Sequence, residues 1–195
     1  MKILIDNGHG AETAGKRSPD GSLREYKYTR EIAERIVSRL KEKGFDAERI
    51  VTEENDISLS ERCRRANSVC DRLGTKNVIL VSVHCNAAGN GSQWLNARGW
   101  EAWTSVGQAK ADTLAEHLYK AAEETGLKTR KDMTDGDADK EGHLYILKHT
   151  KCPSVLTENL FQDNKEDVAF LLSEAGKETI VSLHVKGITN YLKTI

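Results

Sequence analysis

The chain has 195 residues, 38% hydrophobic and 30% charged, with 2 Pro and 15 Gly, a balance that fits one compact domain and excludes collagen-like or wholly disordered chains. Its 29 basic and 30 acidic side chains leave a formal charge of -1, without the basic excess of a duplex nucleic-acid binder, so no nucleic acid is expected as a partner. No apolar run approaches the roughly 18 residues that a membrane helix needs, so no integral membrane segment is expected.

Met1 leads straight into Lys2-Ile3-Leu4-Ile5-Asp6, an apolar stretch far too short for a signal peptide but suited to a first strand over 2–6. Asn7-Gly8-His9-Gly10 breaks it, and the polar residues 11–24 read as a long loop. Ile32, Ile36, Val37 and Leu40 form one face of a helix over 28–43, stopped by Gly44, and a second strand follows over 45–51. Ser58-Leu59-Ser60-Glu61 is a capping box, after which Leu59, Cys63, Ala66, Cys70 and Leu73 fall on one stripe before Gly74.

Residues 77–83, apolar apart from Ser82, read as a central strand buried on both faces. A Gly-, Asn- and Ala-rich loop over 86–98 precedes a strand over 99–104. The next helix is predicted over 108–125, with Ala111, Leu114, Ala115, Leu118 and Ala121 facing inward. The acidic stretch 131–141 reads as a loop, 144–147 and 154–157 as two further strands, and the rest as helical to Tyr191. This alternation predicts a single α/β domain, a sheet covered by helices. Cys63, Cys70, Cys85 and Cys152 show no zinc-ribbon spacing and read as reduced thiols serving as small core residues.

Two histidines stand out by position. His9 follows the first strand and His84 the central one, and ligands collect beyond the carboxyl ends of strands in an open α/β sheet. Glu158 closes the run Ser154-Val155-Leu156-Thr157 and reaches the same rim, while Glu25 lies in the long loop, close enough to fold back over it. Two imidazoles and one carboxylate with an open position suit a hydrolytic zinc site. Such a site carries a net +1, which favours ionising a bound water near neutral pH, and a second carboxylate off the metal can relay that water's proton to a leaving amine. By position alone, His9, His84 and Glu158 on three strand ends together favour a metal over separately satisfied polar groups.

Asp6-Asn7-Gly8-His9-Gly10, then Glu25, then Ser82-Val83-His84-Cys85-Asn86-Ala87, then Leu156-Thr157-Glu158-Asn159-Leu160-Phe161 with Asn164 resembles the zinc-dependent N-acetylmuramoyl-L-alanine amidases of bacterial autolysins and phage endolysins. Asp56-Ile57-Ser58-Leu59 with Arg62 and Ala66-Asn67, and Gly99 with Glu101, match further motifs of that family in the same order. The resemblance implies Zn2+ held by His9, Glu25 and His84, with Glu158 as the catalytic carboxylate. It implies peptidoglycan as substrate, cut between N-acetylmuramic acid and L-alanine. The implied fold is a single twisted, mainly parallel sheet flanked by helices on both faces, with residues 1–195 forming one catalytic domain. A monomer is expected, held in the cytoplasm until release or working at the cell wall if a leader has been trimmed. Cys85 stands where family members often carry Ala. The alternatives are a zinc carboxypeptidase or peptidase cutting the stem peptide, and a non-catalytic wall-binding module.

Other side chains carry weaker signals. Cys85 alternates away from His84 in a strand and reads as a buried residue rather than a thiolate ligand or nucleophile. His117 and His184 read as partly exposed structural residues on helices, and His143 and His149 as flanking a strand. Asp135-Gly136-Asp137-Ala138-Asp139-Lys140-Glu141 hints at calcium but lacks the Gly and Glu of an EF-hand loop, so a solvated acidic loop is expected. Trp94, Trp100 and Trp103 are candidates for stacking on sugar or peptide, with packing the commoner use. Arg62, Arg64 and Arg65 read as a solvated helix face, with Arg62 also a candidate brace for the site.

Overall fold

A computed structural model of the chain describes residues 1–107, 109–134 and 136–195. Gln108, where the third predicted helix begins, and Asp135 of the acidic run lie outside the described residues. Strands β1 (Lys2–Asn7), β2 (Asp46–Arg49), β3 (Val78–Asn86), β4 (Glu101–Thr104), β5 (Lys140–Glu141) and β6 (Ser154–Phe161) form one sheet in the order β2-β1-β3-β6-β4-β5. β2, β1, β3 and β6 are parallel, whereas β4 runs antiparallel to β6 and carries β5 parallel to itself at the edge. The helices are α1 (Glu25–Glu42), α2 (Leu59–Leu73), α3 (Ala109–Glu124), α4 (Tyr145–His149), α5 (Lys165–Leu172) and α6 (Glu174–Leu192).

Strand alternation divides the core in two. Ile3 and Ile5 of β1 and Ile79, Val81, Val83 and Cys85 of β3 pack with α1, α3 and α6 on one face. Leu4, Val78, Leu80 and Leu156 pack with α2 and α4 on the other. The predicted helix-covered, mainly parallel sheet is therefore the observed one. Ser58 caps α2 by accepting the Glu61 amide at 3.3 Å, as the capping box predicts.

Several local expectations are corrected. Residues 144–147 are not a strand: the amides of Leu147 and Lys148 donate to the Leu144 carbonyl, starting the short helix α4. A four-residue apolar run cannot separate strand from helix by period, and here Ile146 and Leu147 turn inward onto α2. α1 starts at Glu25 rather than three residues later, so Glu25 belongs to a helix and not to the loop. Leu59 and Leu73, at the two ends of the α2 stripe, are exposed. His184 is fully buried, with Nε2 2.9 Å from the Thr157 hydroxyl and Nδ1 2.7 Å from the Ile180 carbonyl, and burial lowers its pKa to about 4. All four cysteines are free and buried, as predicted.

The acidic stretch is less solvated than its composition suggests. Lys140 and Glu141 pair with β4, and Asp139 is buried with its carboxylate accepting the Thr104 hydroxyl at 2.6 Å. Burial and the neighbouring Asp137 push the Asp112 carboxyl up to about 6, and burial with Asp137 and Asp112 raises Asp139 as well. A carboxyl raised on folding binds more protons in the folded chain, so it makes stability fall as pH rises from about 4 through 6 and beyond. Asp139→Asn, which keeps an acceptor for Thr104, is expected to resist urea better than the parent at about pH 7.5 and no better near pH 4. Parallel urea titrations at the two pH values check this; a variant weaker at both would show that the carboxylate itself stabilises the loop.

Candidate metal centre

The site lies at the rim that strand topology predicts, where β1 ends. β3 and β6 run further than expected, so that His84 lies inside β3 (Val78–Asn86) and Glu158 inside β6 (Ser154–Phe161) rather than just after them. β1 passes through Asn7 and Gly8 into His9, whose φ of 62° lies in the left-handed region unusual for a side-chain-bearing residue. Arg62 holds this turn from beneath. Its guanidinium donates to the carbonyls of Asn7 at 2.6 Å and His9 at 3.1 Å, and to the Asp6 carboxylate at 2.7 Å. Its Nε donates to the Ile57 carbonyl, and the Ser82 hydroxyl donates to Asp6 at 2.6 Å. Arg62 and Asp6 are each only 2% exposed, so the solvated face expected for Arg62 is wrong, while its role as a brace fits. Arg64 and Arg65 do lie outward and pair with Glu61.

Gly8 has a steric reason. A Cβ there would overlap the His84 ring, so only glycine lets β1 run beneath that imidazole. His84 faces Glu158 directly in the β3–β6 register, and just beyond them the register slips, with Leu160 at φ 64°. Such a bulge re-aims side chains at a strand end. The Asn159 amide secures it by donating to the His84 carbonyl at 2.9 Å while accepting the Trp100 indole N–H.

Glu25 reaches the rim from the first turn of α1. Its Oε1 lies 3.2 Å from His84 Nδ1 and 3.4 Å from His9 Nε2, and accepts the Cys85 amide at 2.9 Å. The two imidazoles stand edge to face with centroids 5.0 Å apart. One ligand atom from each of His9, Glu25 and His84 lies within 4.8 Å of the others, and among the described residues this is the group that could hold a metal ion.

The electrostatics fit a cation. Burial lowers His9 to about 4 against the opposing pull of Glu25, leaving its ring neutral and free to donate a lone pair near neutral pH. Burial is the largest influence on His84 and disfavours its charge, but the Glu25 hydrogen bond together with the charges of Glu25, Glu158 and Asp6 outweighs it and raises His84. Burial likewise opposes charge on Glu25, yet His84 and His9 hold it below the ordinary range. The fully buried Glu25 keeps its Oε2 without a hydrogen-bond partner, as does Glu158 with its own Oε2. A carboxylate oxygen left bare beside two imidazoles is costly unless a cation or proton meets it. Burial pushes Glu158 up to about 8, with His84 pulling down and Glu25 pushing up.

A cavity of about 510 Å³ opens over the cluster, with Lys16, Ile57, Leu59 and Tyr145 among its walls. The exposed Leu59 is thus part of a groove wall. Lys16 and Tyr145 were missed in the sequence, Lys16 because it sits in an irregular loop and Tyr145 because its segment reads as a strand. The tryptophans serve packing and hydrogen bonding: Trp100 is fully buried, Trp103 donates to Glu101, and Trp94 lies beneath the Lys165 ammonium. Cys85 turns into the core face, as alternation predicts.

Residues 3–190 match the family described as N-acetylmuramoyl-L-alanine amidase. The chain belongs to that family. Among relatives, the amidase-family chain is 29% identical to an endolysin of Bacillus phage SPP1 across 97% of its own length, and 29% identical to N-acetylmuramoyl-L-alanine amidase LytC of Bacillus subtilis (strain 168) across 98%. It spans 65% of the first protein and 35% of the second. Its fold matches an N-acetylmuramoyl-L-alanine amidase structure from Clostridium difficile 630 with a TM-score of 0.84 at 24% identity, covering 99% of this chain and 97% of that one. Among the described residues no helix is long and apolar enough to cross a membrane.

Proposed function

We propose that residues 1–195 act as one catalytic domain that hydrolyses the amide between N-acetylmuramic acid and L-alanine in peptidoglycan. In this reading His9, Glu25 and His84 hold zinc, and Glu158 is the general base and acid. The observation that carries it is the pair of bare buried carboxylate oxygens, one beside two converging imidazoles and the other beside an open groove. Zinc, when bound, supplies Lewis acidity toward the scissile carbonyl and the attacking water.

The chain's own residues do the rest. The Cys85 amide fixes the Glu25 carboxylate, and Arg62 with Asp6 fixes the turn that presents His9. Glu158, in register with His84, stands at the same rim, so its carboxylate takes a proton from water and returns it to the departing alanine nitrogen. Burial raises the affinity of this carboxylate for a proton, which favours its taking one from water. The partner is peptidoglycan, the working form is a monomer, and the place of action is the cell wall, reached from the cytoplasm as by phage lysins or after export.

Metal analysis of the purified chain, paired with mass spectrometry of digested muropeptides, tests the proposal. Bound zinc and new free L-alanine amino termini are expected. Cuts inside the stem peptide would favour a peptidase, and sedimentation with walls without released amines would make the chain a binding module.

A further inference from the structure

A second cavity, of about 420 Å³, lies on the other side of Lys16, which lines both it and the groove over the metal cluster. Arg17, Arg24 and Tyr26 form one wall, and Asn90 and Gly91 another. Arg17 and Arg24 are paired residues of an isolated antiparallel bridge, both exposed. Like charges directly opposite on paired strands are destabilising, so this arrangement needs a reason.

Solvated arginines are common, but this chain pairs most of its guanidiniums. Every arginine from Arg30 to Arg65, and both Arg98 and Arg130, donates to a carboxylate or carbonyl oxygen. Of the other arginines among the described residues, only Arg72, in the last turn of α2 and away from either cavity, shares the unpaired state of Arg17 and Arg24. Among the described residues Arg17 and Arg24 make no such side-chain bond. The acid placed to neutralise them is committed elsewhere. Asp20, the one acidic residue of the segment 17–24, accepts the Ser18 and Ser22 hydroxyls at 2.7 Å and the Ser22 amide at 3.0 Å, bonds that hold its carboxyl down at about 2. Glu12, also at the cavity, accepts the Asp56 amide at 3.0 Å.

Two loops frame the cavity and are held against each other at its edge. Ser18 and Leu23 close the hairpin through amide bonds at 2.9 Å. Gly91, at φ 80°, packs against the carbonyls of Gly15 and Arg17, where a Cβ would come within 3.0 and 3.1 Å of oxygen, so a side chain there would drive the loops apart.

We propose that this cavity is a docking subsite for a carboxylate-bearing peptide segment of the substrate, held by Arg17 and Arg24 while the scissile amide lies across Lys16 at the metal cluster. The inference rests on the amidase reading. Guanidinium forks match carboxylates in plane and charge, and two unpaired ones beside a groove give specificity for an acidic peptide.

The test compares zinc-loaded parent and the R17Q/R24Q variant on a muramoyl peptide with free carboxylates and on its carboxamide counterpart. The variant is expected to raise KM for the acidic substrate about 10-fold with kcat within about twofold, leave the carboxamide unchanged, and melt no lower than the parent. Parent turnover with the same acid-over-amide preference in the variant overturns this inference alone. An equal fall in kcat on both substrates, or a marked drop in melting temperature, also overturns it by making the arginines structural. A parent inert toward both substrates overturns the amidase reading and the inference with it.

Discussion

Glu158→Gln is expected to lower amide hydrolysis about 10²–10⁴-fold while zinc content stays at the parent level. Gln preserves the size of the side chain and an acceptor oxygen, so the β3–β6 register and the imidazoles should not move. What it removes is the capacity to take a proton from water and return it to the leaving nitrogen. His9, Glu25 and His84 already supply three donors within 4.8 Å of one another without Glu158. Metal analysis beside turnover separates the roles. A chain that lost zinc along with turnover would make Glu158 a fourth donor, and near-parent turnover would remove it from the chemistry. His84→Ala is the control, expected to lose both.

Arg62→Met is expected to destabilise the fold by about 3–5 kcal/mol, the range for breaking one side of a buried ion pair. The reason is what the guanidinium leaves behind: an Asp6 carboxylate 2% exposed, and the carbonyls of Asn7, His9 and Ile57 without this donor. Denaturant titration measures the loss. Asp6→Asn in the Arg62→Met background is expected to recover part of it, because an uncompensated buried charge is then gone. Arg62→Lys should fall between, since one ammonium cannot reach so many acceptors in the plane of a fork. Zinc affinity is expected to fall with stability, because His9 sits in a left-handed turn held by the same side chain. An Arg62→Met chain as stable as the parent would show that the buried pair contributes nothing to the fold.

The central strands were legible because their signal is compositional: β3 is buried almost throughout and reads as one apolar run. His9, His84 and Glu158 were picked out by strand ends alone, and the structure brings them to one rim even though β3 and β6 continue past His84 and Glu158. Glu25 was placed near the rim by its nearness in sequence, but its role as a ligand was legible only through the resemblance. Nothing in its local pattern distinguishes it from the other acids of α1, and the helix was predicted to begin after it. Arg62 was hidden for a related reason, because among the four arginines of α2 only the one facing Asp6 is buried, and a periodicity of apolar residues says nothing about an ion pair beneath a turn. α4 failed through length, four apolar residues being compatible with either regular structure.

The placement of Glu25 on α1 has a consequence for divergence. None of the three residues proposed to hold zinc belongs to the segment 10–24 itself, since one flanks it in the turn after β1 and another opens the helix, where the Cys85 amide anchors it. On the proposed reading, insertions, deletions and changes of charge in that intervening hairpin would alter which wall chemistry is recognised while the three proposed donors are inherited unchanged, so the two properties would evolve on separate schedules.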